Sequence, residues 1–227
     1  MKRFGHNFGG NLFNNMNIHA HDLRVGHLKN QIVLSVPSLL IDDSDKFVLI
    51  KGENGSGKTT LIHAMIDSVP YRTGQIYVNG QLLTKRNRNE HLNKMGFCLT
   101  TGLSYSNMSL RQNFKIYDLI YDAQINLFDE LVEQLRLQQI IDLPISALSL
   151  GKRKLADIVL AMSHSPDLVF MDEPTANLDS ETISLLLATL DYYTSKSNMQ
   201  FVIATNDPDV FSNVVSKEIF IQDGKAY

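Results

Sequence analysis

Residues 52–60 read GENGSGKTT, directly after the apolar run Phe47–Ile50 and Lys51. No other stretch of the chain limits its fold so strongly. Gly52, Gly57, Lys58 and Thr59 meet the spacing G-x-x-x-x-G-K-[ST], which carries meaning only between a strand and a helix. Both flanks are present. Phe47–Ile50 reads as a buried strand, and KTTLIHAMIDS sets Leu61, Ile62, Met65 and Ile66 at helical spacing. Glycines let the backbone wrap an anion with several N–H groups pointing inward, and a helix starting near Lys58 adds its positive end. The reading is a phosphate site in which Lys58 reaches the β- and γ-phosphates and the Thr59 hydroxyl ligates Mg²⁺. The alternative, a glycine-rich turn that binds nothing, is disfavoured by the complete motif in its expected setting.

The rest of the chain alternates strand and helix patterns. Residues 18–41 alternate and then run apolar, as strands of a small β layer do, and Asn79-Gly80 within GQIYVNGQLL reads as a hairpin turn. MGFCL (95–99) is a further short strand. From about Ser109 to Leu148 the pattern becomes helical, with LRQNFKIYDLIYD and INLFDELVEQLRLQQII both amphipathic. A helix (KRKLADIVLAMSHS), a strand (DLVFMDEP), a helix (SETISLLLATLDYYTSK) and a strand (QFVIATND) follow, and EIFIQDGKAY closes with a strand and a turn. This order predicts an α/β fold around a largely parallel sheet, with residues 101–148 as a short helical insert and residues 1–17 as a flexible leader.

A second constellation completes the first. LVFMDEP places Asp172 and Glu173 at the end of an apolar strand. An acid leaving the carboxyl end of a parallel strand beside a phosphate loop sits where Mg²⁺ is held, so Asp172 is the expected metal residue. Neighbouring strand residues point to opposite faces, which frees Glu173 to polarise a water as general base. His19 and His21 share one strand face and could begin a metal site with His6, but no Cys or carboxylate cluster stands at zinc spacing beside them. They read instead as solvent-facing strand histidines.

Composition removes other classes. The formal net charge of −3 offers nucleic acid no basic field, and hydrophobic residues at 44% are ordinary for a globular chain. The longest apolar stretches, such as QIVLSVPSLLI, fall short of the roughly 18 residues a membrane helix needs. The Asn- and Gly-rich start lacks the apolar centre of a secretory signal. The lone Cys98 excludes an internal disulfide and suits a reducing cytoplasm.

Taken with these motifs, residues 18–227 resemble the ATP-binding cassette (ABC) ATPases. GENGSGKTT is similar to their Walker A, and LVFMDEPTANLD to their Walker B and D-loop, closed by Asp179. The resemblance implies a P-loop NTPase (RecA-like) core with an antiparallel β layer. It also implies that Gly52, Asn54, Gly55, Ser56 and Gly57 bind ATP, together with Lys58, Thr59 and Thr60. LSLGKRKLADIVLAM stands where the family has its LSGGQ signature. Ser149 and Gly151 match the positions that grip the γ-phosphate of ATP on the opposite subunit, whereas Leu150 replaces a glycine and Lys152 a glutamine.

Two departures bear on rate. Thr100 stands at the family's Q-loop glutamine and Asn206 at its switch histidine, the γ-phosphate contact, so Asn206 joins Glu173 as a catalytic candidate. The adenine-stacking aromatic has no obvious counterpart; His27 is the nearest candidate. The resemblance implies a subunit, peripheral on the inner face of the cell membrane, that dimerises head to tail and drives membrane-spanning subunits. The short insert and the absence of an extension after Tyr227 resemble exporter-type cassettes more than importers. Two other readings stay open: a soluble assembly ATPase, for example for iron–sulfur clusters, and a weakly hydrolysing partner in a heterodimer with another ABC ATPase. A DNA-repair role would need a coiled-coil insertion that residues 101–148 are too short to hold.

Overall fold

A computed structural model describes residues 16–100, 102–123 and 125–227. Residues 1–15 of the expected leader, His6 among them, lie outside the described residues, as does the side chain of His27. The leader's last two residues are within it. Met16 is buried and its N–H donates to Gln200 Oε1 at 2.8 Å, while the Asn17 N–H donates to Asn79 Oδ1 at 2.8 Å.

The centre is a parallel sheet. Strand β3 (Phe47–Lys51) lies between β8 (Gln200–Ala204) and β9 (Lys217–Gln222), and β7 (Leu168–Asp172) and β6 (Met95–Cys98) extend the sheet beyond β8. Strands β3, β6, β7 and β8 are apolar almost throughout because both faces are covered. Strand β9 alternates instead, with Ile219 and Ile221 buried and Glu218 and Phe220 exposed. Val48, Ile50, Phe170 and Val202 point into one core; Phe47, Leu49, Met171 and Phe201 point into the other. The first core is closed by α1 (Lys58–Met65) and an antiparallel layer, β1 (Ile18–Leu28), β2 (Gln31–Ile41) and β4 (Tyr71–Val78). A hairpin carries β4 into β5 (Gln81–Leu82) through Asn79 and Gly80, whose φ angles of 51° and 76° are the pair of positive values that a two-residue hairpin turn needs. The short β10 (Lys225–Ala226) pairs with both β9 and β2 and joins the two halves. Among the described residues the order is β5-β4-β1-β2-β10-β9-β3-β8-β7-β6.

The second core is covered by helices. A short α2 (Arg88–Leu92) precedes β6; then follow α3 (Leu110–Tyr121), α4 (Phe128–Gln134), α5 (Leu150–Met162) and α6 (Ser180–Ser197). Ser109 opens α3 with a capping box shared with Gln112. Helix α4 is shorter than the amphipathic pattern of residues 125–141. Arg136 takes φ 54°, its N–H bonds to Glu133 O, and Leu137 N–H bonds to Val132 O. That pair of bonds is a Schellman cap, and it stops the helix while apolar Leu137, Ile140 and Ile141 carry on into the core.

Strand β6 lies against α5 with no room between them: a Cβ at Gly96 would stand 2.0 Å from the Ala161 carbonyl oxygen. Gly96→Ala should therefore force the strand off the helix and destabilise the fold by about 1–3 kcal/mol, the usual cost of overpacking. Urea unfolding would show this as a lower midpoint with an unchanged slope; an unmoved midpoint would mean that the contact yields freely.

Candidate functional site

The loop after β3 is shaped by positions where a side chain does not fit. A Cβ on Gly52 would come within 2.5 Å of both the Ile221 carbonyl oxygen and Ser56 Oγ. Gly55 and Gly57 hold φ at 77° and 113°, backbone that favours glycine. Helix α1 begins at Gly57 with no side-chain cap, so its first N–H groups lack intrahelical acceptors. Ser56 Oγ is buried without a hydrogen-bond partner. A loop with uncapped amides and an unpaired hydroxyl, closed to any Cβ at its base, fits a phosphate chain.

Beside it opens a cleft of about 250 Å³. Asn54, Gly55, Gly57, Lys58, Thr59 and Thr60 line one side; Thr100, Asp172, Glu173 and Asn206 line the other. Gly52 and Ser56 border the adjoining groove next to β9. The far side is built by strand ends. Asp172 ends β7 with only 2% of its surface exposed, and its Oδ2 accepts from Thr59 Oγ1 at 2.8 Å and from Thr100 Oγ1 at 2.5 Å. Glu173 turns away because its backbone leaves the strand at φ 50°, where its N–H donates to Ala204 O at 2.8 Å. Its carboxylate lies 3.5 Å from the Thr205 hydroxyl. Lys58, buried at 7% exposure, donates to the carbonyls of Gly52 (2.7 Å) and Glu53 (3.0 Å) and to Asn206 Oδ1 (2.8 Å). Cys98 is buried, and that burial pushes its thiol up to about 12.

Ser149 and Gly151 stand elsewhere, at the head of α5, in a separate cleft of about 300 Å³ with Asn177 and Asp179. Ser149 Oγ caps the helix by accepting from Lys152 N–H, at 3.4 Å. Gly151 has to be small, since a Cβ would lie 2.7 Å from the Asn177 carbonyl oxygen. Leu150, in the place of the family's glycine, is 61% exposed. Within one chain these residues do not meet Lys58.

The ABC transporter family model matches residues 39–176, well over half of the chain. The chain belongs to that family. Among curated relatives it is 29% identical over 208 residues to the bacitracin export ATP-binding protein BceA of Halalkalibacterium halodurans, spanning 88% of this chain and 81% of that one. It is 26% identical to the lipoprotein-releasing system ATP-binding protein LolD of Leptospira interrogans, over 94% of this chain and 92% of the relative. The solved ATP-binding subunit of an ABC transporter superposes with a TM-score of 0.80 at 22% identity, covering 92% of this chain and 87% of that chain. The fold is thus the P-loop NTPase fold of ABC ATPases, and the protein is an ATP-binding, ATP-hydrolysing subunit of an ABC transporter. Among the described residues no helix is long and apolar enough to cross a membrane.

Two contacts of this ABC ATPase escaped sequence reasoning. Thr100 looks like a loss when set against a glutamine, yet its hydroxyl reaches the Asp172 carboxylate directly. Lys154 donates from α5 to the Asp172 carbonyl at 3.2 Å, tying the helix headed by Ser149 to the strand end that carries the acids. No spacing in the sequence signals this contact, because it joins a helix to the end of a distant strand.

Proposed function

We propose that ATP binds with its phosphates on the Gly52–Thr60 loop and closes a dimer in which Ser149 and Gly151 of one subunit complete the other's site. The observation that carries this reading is the convergence of Lys58, Thr59, Asp172, Glu173 and Asn206 on one cleft. Lys58 and the α1 amides supply fixed positive charge to the phosphates. The Thr59 hydroxyl and Asp172 carboxylate, 2.8 Å apart, are the hard oxygen donors that Mg²⁺ takes, and the ion when bound neutralises phosphate charge. Glu173, held apart from Asp172, accepts the proton of the attacking water, and the Asn206 amide faces the γ-phosphate. The subunit sits on the inner face of the membrane against membrane-spanning subunits. Relatives named for bacitracin export and lipoprotein release support an exporter-type role.

Calorimetry tests the site. Lys58→Ala should weaken Mg·ATP binding by about 10–100-fold, the equivalent of one charge-assisted hydrogen-bond set at about 1.5–3 kcal/mol. Lys85→Ala, exposed and outside the loop, should bind as wild type. Equal affinity in wild type and Lys58→Ala would refute the site.

A further inference from the structure

The outer face of the antiparallel layer carries a group of side chains that nucleotide chemistry does not use. His19 and His21 lie two residues apart on β1, which is flanked by β2 and β4. Strand alternation sends both rings to the same face, while Ile18 and Ala20 fill the core beneath. The ring centroids are 3.7 Å apart, and His21 Nε2 lies 3.1 Å from His19 Nδ1.

The backbone around this pair is bent rather than flat. Pairing with β4 slips register between His21 and Arg24, and Asp22 takes φ 48°. Gly74 on β4 permits the approach, since a Cβ there would come within 2.4 Å of the Asp22 carbonyl oxygen. Such bulges bend a strand and re-aim its side chains. Here the bend leaves an open concavity of about 670 Å³ lined by both histidines with Asn17, Asp22, Gln75 and Tyr77.

We propose that His19 and His21 form a two-imidazole chelate for a borderline divalent transition ion, of which zinc is the reference case, with water completing the coordination. Imidazole nitrogen binds zinc at about 2.0–2.1 Å, so two adjacent ligands on one ion stand about 3.0–3.4 Å apart. His19 Nδ1 and His21 Nε2 already lie 3.1 Å apart, so chelation replaces their mutual hydrogen bond with little movement of the strand. Each ring binds as neutral imidazole with its hydrogen on the remote nitrogen. Among the described residues no group of three or more His, Cys, Asp or Glu side chains is placed to hold a metal ion, which leaves the remaining positions to water. Imidazole suits zinc, nickel and copper, whereas Mg²⁺ prefers all-oxygen sites. The chelate and the nucleotide cleft therefore select different ions.

Titration of zinc chloride into the whole chain by calorimetry tests this, with His19→Ala, His21→Gln and the double variant alongside. Circular dichroism of each variant establishes that the fold is kept. Wild type should show a zinc-binding step that each single variant weakens by at least about tenfold, because the second imidazole acts at high effective concentration. The double variant should lack that step, while Lys58-dependent ATP binding stays unchanged in all. Zinc should also raise the melting midpoint of wild type but not of the double variant. An unaltered zinc step in the folded double variant, or a wild type that binds no zinc, would overturn the proposal and leave the nucleotide site untouched.

Discussion

Glu173→Gln should slow ATP hydrolysis by about 10²–10⁴-fold, the usual contribution of a positioned proton acceptor, while Mg·ATP stays bound. The amide keeps the carboxylate's shape and loses its ability to take a proton. The backbone turn that holds the residue, φ 50° with its N–H on Ala204 O, does not depend on the side chain, so the cleft should survive the exchange. Persisting ATP should then hold two chains together. Size-exclusion chromatography in Mg·ATP should show Glu173→Gln shifted towards dimer, and adding Ser149→Arg should abolish the shift by placing a bulky cation at the head of α5. Hydrolysis undiminished in Glu173→Gln would remove the general-base assignment. A strict monomer in every condition would point to an obligate heteromeric partner.

The second large effect concerns Asn206. The isolated chain should be a slow ATPase, and Asn206→His should turn over faster at saturating Mg·ATP. Positioned proton-transfer and polar groups contribute about 10²–10⁴-fold, about 2.7–5.4 kcal/mol at about 1.36 kcal/mol per tenfold. Asn206 retains part of that. Its Oδ1 accepts from Lys58 at 2.8 Å, which leaves the amide NH₂ to donate a neutral hydrogen bond to a phosphate oxygen. Thr100 also retains part of what a glutamine would supply, through its bond to Asp172. The shortfall should therefore be partial, with further stimulation coming from the membrane subunits. Brisk wild-type turnover that the histidine diminishes would show that the asparagine is the better residue in this setting.

Much of this was legible in the sequence because its signals are local. GENGSGKTT needs only a strand before it and a helix after it, and both are encoded by short apolar patterns. Asp172 and Glu173 could be placed because a parallel strand delivers its end to the same edge as β3. The hairpin at Asn79-Gly80 follows from residues that tolerate positive φ. What stayed hidden depended on tertiary approach. The amphipathic run 125–141 gives no sign that Arg136 will take φ 54° and end α4, because arginine carries no left-handed preference. The bulge at Asp22, next to His19 and His21, rests on Gly74 in another strand. The Lys154 contact crosses from a helix to a strand end, a pairing that no spacing encodes.

The bonding of Lys58 has a consequence for what the cleft will refuse. An ammonium has three hydrogens, and here Gly52 O, Glu53 O and Asn206 Oδ1 accept all three. An anion that bonds to Lys58 must displace at least one of these acceptors, at about 1.5–3 kcal/mol for a hydrogen bond to a charged group. A free phosphate or sulfate ion can engage the lysine and the α1 amides but spans only part of the loop, so it offsets the exchange with fewer contacts. A nucleoside triphosphate covers the exchange with contacts along the whole Gly52–Thr60 loop. On the proposed reading of the site, the lysine is a filter as well as a grip, favouring a polyphosphate chain over a single anion.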